Sequence, residues 1–267
     1  MRAAETRKFM GCATSILSEK KTHPDLRTGD DAPRSADWAY ADIESIFLLL
    51  EPQHPGKPPP VRLLDSVWLL NRASQLESAR DDAQRAALAL PSRQVLEKSH
   101  PEAFLSTDQV RNLAVHSKEH GYWQPTGAIA VGSVSHAWLS PHHPDPLGQQ
   151  LIKLMALVRA AQQKELPRQQ LGWDANAPRR QGYNSLPERC GIFYDWCSLC
   201  QSHKAPDGSV LIERTPDERE AFKLALDSMQ LWYAHQKIFA MLITELPEGC
   251  TAPPYDARGW PTVERAW

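Results

Sequence analysis

The sequence predicts an α/β protein, a small parallel sheet preceded by a helical region, and three observations carry that expectation. Two short apolar runs, residues 128–139 and 191–199, each stop abruptly at polar residues of the kind that line pockets. After residue 126 the apolar segments alternate as strand, helix, strand, helix, strand. Before it, apolar residues recur at helical spacing. A buried parallel strand is apolar on both faces and reads as a short unbroken run of Val, Ile, Ala and aromatics. In an open α/β sheet, ligands sit beyond the carboxyl ends of such strands.

Residues 1–35 are polar, charged and aperiodic, as in a mobile tail. Residues 36–125 form the helical region. Trp38, Ile43, Ile46, Phe47 and Leu50 recur at helical spacing, with Ser35 or Asp37 as cap. A Pro-rich linker occupies 52–60. A second helix spans 63–90 and ends at Pro91, and a third starts near Ser106 or Thr107, where Gln109 completes capping chemistry, and runs to about residue 120. Residues 126–267 form the α/β domain. Its first strand is 129–134, and Asp145-Pro146 opens a helix whose stripe is Leu151, Leu154, Met155 and Val158. A surface insertion covers 164–188. The second strand is 192–194. A helix starting at Thr215-Pro216 carries Phe222, Leu226, Met229 and Tyr233, the third strand is 238–243, and residues 255–267 begin another helix. Three strands are few for an independent sheet, so either the N-terminal helices cover an open edge or the sheet is C-terminally incomplete.

Composition narrows the function. A formal charge of −2 provides no basic field for nucleic acid. No apolar stretch of about 18 residues could cross a bilayer as a helix. Five cysteines, an odd number at irregular spacing with no secretory signal, favour a reducing, cytoplasmic setting. Met10-Gly11-Cys12 matches an acylation signal: if translation began at Met10, Gly11 could be myristoylated and Cys12 palmitoylated, giving a membrane-associated protein. As written, nine residues precede it and a chance match is the alternative. Cys197-x-x-Cys200-x-x-His203 with Cys190 supplies zinc-type residues, but Cys190 and Cys197 would fall at opposite ends of a strand, so no metal site is expected.

The strand ends bring forward Ser135, His136, Trp138, Asp145, Asp195 and Trp196. Rings for stacking and a carboxylate to accept ribose hydroxyls suit a nucleotide or sugar. The alternative is scaffold: Asp145 as a helix cap and His136 as a packed core histidine. Arg258, Trp260 and Glu264 could close the pocket from its fourth side. No P-loop, dinucleotide fingerprint, kinase set or Ser/His/Asp hydrolase motif is present.

Read together, Ser135-His136-Ala137-Trp138-Leu139, His143-Pro144-Asp145-Pro146, Tyr194-Asp195-Trp196-Cys197-Ser198-Leu199 and Arg258-Gly259-Trp260-Pro261 resemble a divergent TIR-like (Toll/interleukin-1 receptor-like) group of algal and protist proteins. The resemblance covers about half the chain. It implies a flavodoxin-like fold that serves either as a signalling and protein-interaction module, through a protein partner or self-association, or as an enzyme that hydrolyses NAD. NAD would then be a substrate, with no resident cofactor. In the enzymatic members a glutamate early in the helix after the second strand lies over the ribose. By distance that position falls near residues 223–225, and Glu220, about one turn earlier, is the catalytic candidate.

Overall fold

The computed structural model describes residues 38–119, 129–162, 187–204 and 209–259. The first expected helix is two: α1 (Trp38–Ala41) and α2 (Glu44–Leu50). Asp42 accepts from the Glu44 amide, and the Ser45 hydroxyl donates back to the Ala39 carbonyl, which turns the chain between them. The long helix expected over 63–90 is also divided. It begins as a two-residue strand, β1 (Leu64–Asp65), followed by α3 (Ser66–Glu77) and α4 (Asp82–Leu88). Asp65 and Asp81 are the reasons: each leaves the helical conformation and accepts a backbone N–H of the next helix, from Val67 and Gln84.

A helix the periodicity missed, α5 (Arg93–Ser99), follows Pro91. By contrast, α6 (Thr107–Glu119) starts where its capping residues placed it: Ser106 and Gln109 exchange side-chain to backbone hydrogen bonds.

Then come β2 (Val131–His136), α7 (Gln149–Gln162), β3 (Gly191–Phe193) and the single turn α8 (Asp195–Ser198). A two-stranded ribbon, β4 (His203–Lys204) and β5 (Val210–Ile212), precedes α9 (Pro216–Asp227), α10 (Met229–Ala234) and β6 (Phe239–Ile243). Of the segment expected to begin a final helix, residues 255–257 form a 3₁₀ turn and 260–267 lie outside the described residues. The helix expected to open at Asp145-Pro146 starts at Gln149 instead. Gly148 joins the two at φ +67, where an added Cβ would collide with the Leu76 side chain.

The result is a mixed α/β architecture around a four-stranded sheet ordered β1-β3-β2-β6. The three strands expected from sequence pair in parallel, with β2 central: Gly132 lies opposite both Ile192 and Phe239. From β2 the chain passes to β3 on one side, then crosses to β6 on the other, so the order reverses beside β2. The unexpected β1 adds an antiparallel edge, Leu64 opposite Ile192.

Alternation of side chains sends Val134, Ile192 and Met241 to one face, packed by Leu69 and Leu76 of α3 and Leu154 and Val158 of α7. Val131 and Phe193 point to the other, against Ile46 and Phe47 of α2 and Leu231 and Trp232 of α10. Trp232 stacks on Phe193 at 4.6 Å between ring centroids. The helical region and the sheet therefore share both cores.

One buried charge joins them at the carboxyl edge. The Arg93 side chain is 0% exposed; it donates to the carbonyls of Pro59, Pro60 and Ser198 and pairs with Glu97. Removing it takes the buried donor from the Pro59 and Pro60 carbonyls and leaves Ser198 and Glu97 with Arg62 alone. Arg93→Met is therefore expected to lower unfolding stability by about 3 kcal/mol or more, read from the midpoint of urea denaturation.

Candidate functional site

The site grows from the carboxyl ends of β2 and β3, adjacent parallel strands. His136 closes β2, and Asp195 follows Tyr194 directly after β3. Their side chains meet, His136 Nε2 lying 3.2 Å from Asp195 Oδ1. The imidazole stacks on the Tyr194 ring at 4.4 Å. Its other nitrogen, Nδ1, lies 2.7 Å from Gln150 Oε1. The Gln150 amide has no freedom to flip, because its Nε2 donates to the Ala137 carbonyl. Both groups facing His136 are therefore acceptors, and only the imidazolium, with two N–H donors, satisfies both.

Asp195 collects two further donors: the Trp138 indole N–H at 3.0 Å and the amide of Trp196 at 2.6 Å. A carboxylate with three donors, one of them a cation, is a strong electrostatic tie. Burial pulls the His136 pKa down, but the hydrogen bond and charge of Asp195 outweigh it and the value is raised. For Asp195, burial pushes up while the His136 hydrogen bond and charge pull down; the sum is lowered, and the side chain keeps 28% exposure.

Trp196 carries the tie outward. Its ring meets Trp138 edge-on, and its indole N–H donates to the Leu90 carbonyl, which also accepts from His143 Nε2. His143 Nδ1 in turn accepts from the Asp145 amide, which sets that imidazole as the neutral tautomer with hydrogen on Nε2. Asp145 Oδ2 accepts from the Leu151 amide and so caps α7, the scaffold role weighed for it. Its second oxygen, and the Tyr194 hydroxyl, are buried without a hydrogen-bond partner among the described residues. Burial raises both their pKa values.

The residues singled out from sequence thus divide. His136, Trp138, Asp195 and Trp196 converge, with Asp145 behind them. Ser135 does not join them, because neighbours in a strand face opposite sides of the sheet; its hydroxyl bonds the Tyr255 hydroxyl on the far face. Arg258 donates to the Pro253 carbonyl. Trp260, Glu264, Gly11 and Cys12 lie outside the described residues. Glu220 sits on the outer surface of α9, 71% exposed, its carboxylate 3.0 Å from Lys57 Nζ, with Asp217 on the same lysine.

Cys190, Cys197 and Cys200 are buried free thiols, and the described residues contain no cluster of metal-ligating side chains. Gln150 and Tyr194 were missed as site residues. The available signal for Gln150 was an amide in the turn before the apolar stripe of α7.

No known protein family, curated protein or solved structure matches the chain.

A pair with these shifts has a defined pH window. His136, raised above its ordinary 6.5, contributes in full below that value and loses its contribution as pH rises through the folded-state pKa. Asp195, lowered from 3.8, contributes above that value and is lost as pH falls through the folded-state pKa. Asp195→Asn is expected to cost about 2–4 kcal/mol between those limits and measurably less once pH exceeds the folded-state pKa of His136, as read from denaturation curves of both proteins across pH.

Proposed function

We propose that the protein is a signalling and protein-interaction module of TIR-like, flavodoxin-like type, docking through the β4–β5 ribbon. The observation that carries this reading is the exposure of Val210 and Leu211, 56% and 57%, on adjacent positions of a ribbon whose base is fixed. His203 of β4 packs on Trp196, and Arg214, just past β5, donates to the Cys200 carbonyl and covers the Phe222 ring. Exposed apolar side chains on a short antiparallel ribbon suit strand-edge or side-chain docking by a second chain. Rigidity at the base limits the ordering entropy that docking costs. A cytoplasmic setting, with acylation at Gly11 and Cys12 if translation starts at Met10, goes with this reading. No described helix is long and apolar enough to cross a membrane.

A second reading, hydrolysis of an NAD-type nucleotide, is favoured by the meeting of His136 and Asp195 at adjacent strand ends. Against it stand the three donors already on Asp195 and the ion pairing of Glu220 with Lys57 on the surface.

The two readings separate in solution. Light scattering on the purified chain is expected to show concentration-dependent self-association, weakened at least tenfold, about 1.4 kcal/mol, in Leu211→Asp with an unchanged thermal melt. Incubation with NAD is expected to release no nicotinamide. Release that disappears in His136→Ala or Glu220→Ala would replace the module with the enzyme. A monomer at every concentration, with no release, would leave self-association without support and put docking on a different protein partner.

A further inference from the structure

We propose that the cleft bounded by α3, α4, α5 and the loop at residues 140–146 binds a small organic anion with an apolar body. Its volume, about 500 Å³, lies in the range of small-molecule sites. Ala86, Ala87 and Val95 line it with apolar surface. Its polar lining consists of Arg72, three histidines and two serines, with no carboxylate, in a chain whose net charge is −2.

Most polar groups of this cleft already have partners. Both nitrogens of His143 are engaged, the Trp196 indole N–H is taken by Leu90, and Ser99 donates to the Val95 carbonyl. His100 pairs with Glu102 at the rim. Two groups stand apart. Ser92 is a buried residue, yet its hydroxyl has no hydrogen-bond partner among the described residues, and neither has Nδ1 of His203. Such atoms call for a partner from elsewhere. Both residues line the cleft.

Arg72 decides the charge of the partner. Its guanidinium lies over the Trp68 ring at 4.8 Å, and Glu102 is the carboxylate that acts on it. Guanidinium groups have donors only, and hydroxyl and imidazole groups can donate as well, so the complement is acceptor-rich: a carboxylate or phosphate head. Burial lowers the pKa of His143 and of His203, the latter also repelled by His142, which leaves both rings as neutral hydrogen-bonding groups. Three imidazoles line the cleft, but they form no metal-ligating cluster among the described residues, and the apolar wall suits a ring rather than a bare ion.

The test is a titration of the full-length protein followed by the histidine ring C–H resonances, with benzoate, phenyl phosphate, inorganic phosphate and benzyl alcohol as probes. Benzoate or phenyl phosphate is expected to shift the His203 resonance saturably and to raise its titration midpoint. Binding should weaken about tenfold in Arg72→Gln and in Ser92→Ala. The second variant removes a hydroxyl that bonds nothing among the described residues, so its melting curve should match that of the parent. The proposal is overturned by the absence of saturable shifts, by unchanged affinity in Ser92→Ala, or by benzyl alcohol or inorganic phosphate binding as tightly as phenyl phosphate.

Discussion

A single carboxylate, that of Asp195, ties together three pieces of chain that leave the sheet at its carboxyl edge. It holds the end of β2 through His136, the following loop through Trp138, and the first turn after β3 through the Trp196 amide. Each tie depends on the parallel pairing of β2 with β3, which puts both strand ends at one level. The tie also orders what lies beyond it. Trp196, held from beneath, presents one ring to Leu90 of the helical region, to His143 of the loop before α7 and to His203 at the foot of the ribbon. The ligand crevice usual in an open α/β sheet is filled here by the protein's own side chains.

That filling changes what the carboxyl edge can do. Arg93 closes the neighbouring stretch by gathering the carbonyls of Pro59, Pro60 and Ser198, so the buried end of the loop, Pro60 and Val61, is joined to the turn after β3. Among the described residues, Val210 and Leu211 on the ribbon are the most exposed large apolar side chains. The small cleft beside Ser92 reaches the foot of the ribbon at His203, so the proposed docking and anion binding meet at His203 and at the Trp196 ring beneath it.

Much of the sheet was legible because its strands are buried on both faces. The runs ending at Leu139 and Leu199 and the segment 238–243 place β2, β3 and β6 to within about two residues, the usual error at element ends. The first strand was set too early, stopping at Val134, because Ser135 and His136 are polar; tertiary partners, Tyr255 and Gln150, make them acceptable in a strand. β1 was illegible, since two residues carry no period, and its strand state comes from Leu64 meeting Ile192, far along the chain. The division of the long helix was visible in principle, as Asp65 and Asp81 are capping residues, but an Ala-rich, charge-laced stretch hides caps inside a helical pattern. The meeting of His136 and Asp195 followed from parallel strands alone. That Ser135 faces away follows from strand alternation, which the grouping of strand-end residues into one pocket had passed over.

Closure of the carboxyl edge depends on the protonation of one ring. Gln150 and Asp195 present acceptors to both nitrogens of His136, so the clamp requires an imidazolium. The direct measurement is the pair of ¹⁵N shifts of that ring at about pH 7, above the ordinary histidine pKa of about 6.5. Both nitrogens should carry hydrogen and should lose one only at distinctly higher pH. A neutral ring at that pH, with hydrogen on one nitrogen, would contradict the clamp and with it the account of how the carboxyl edge is closed.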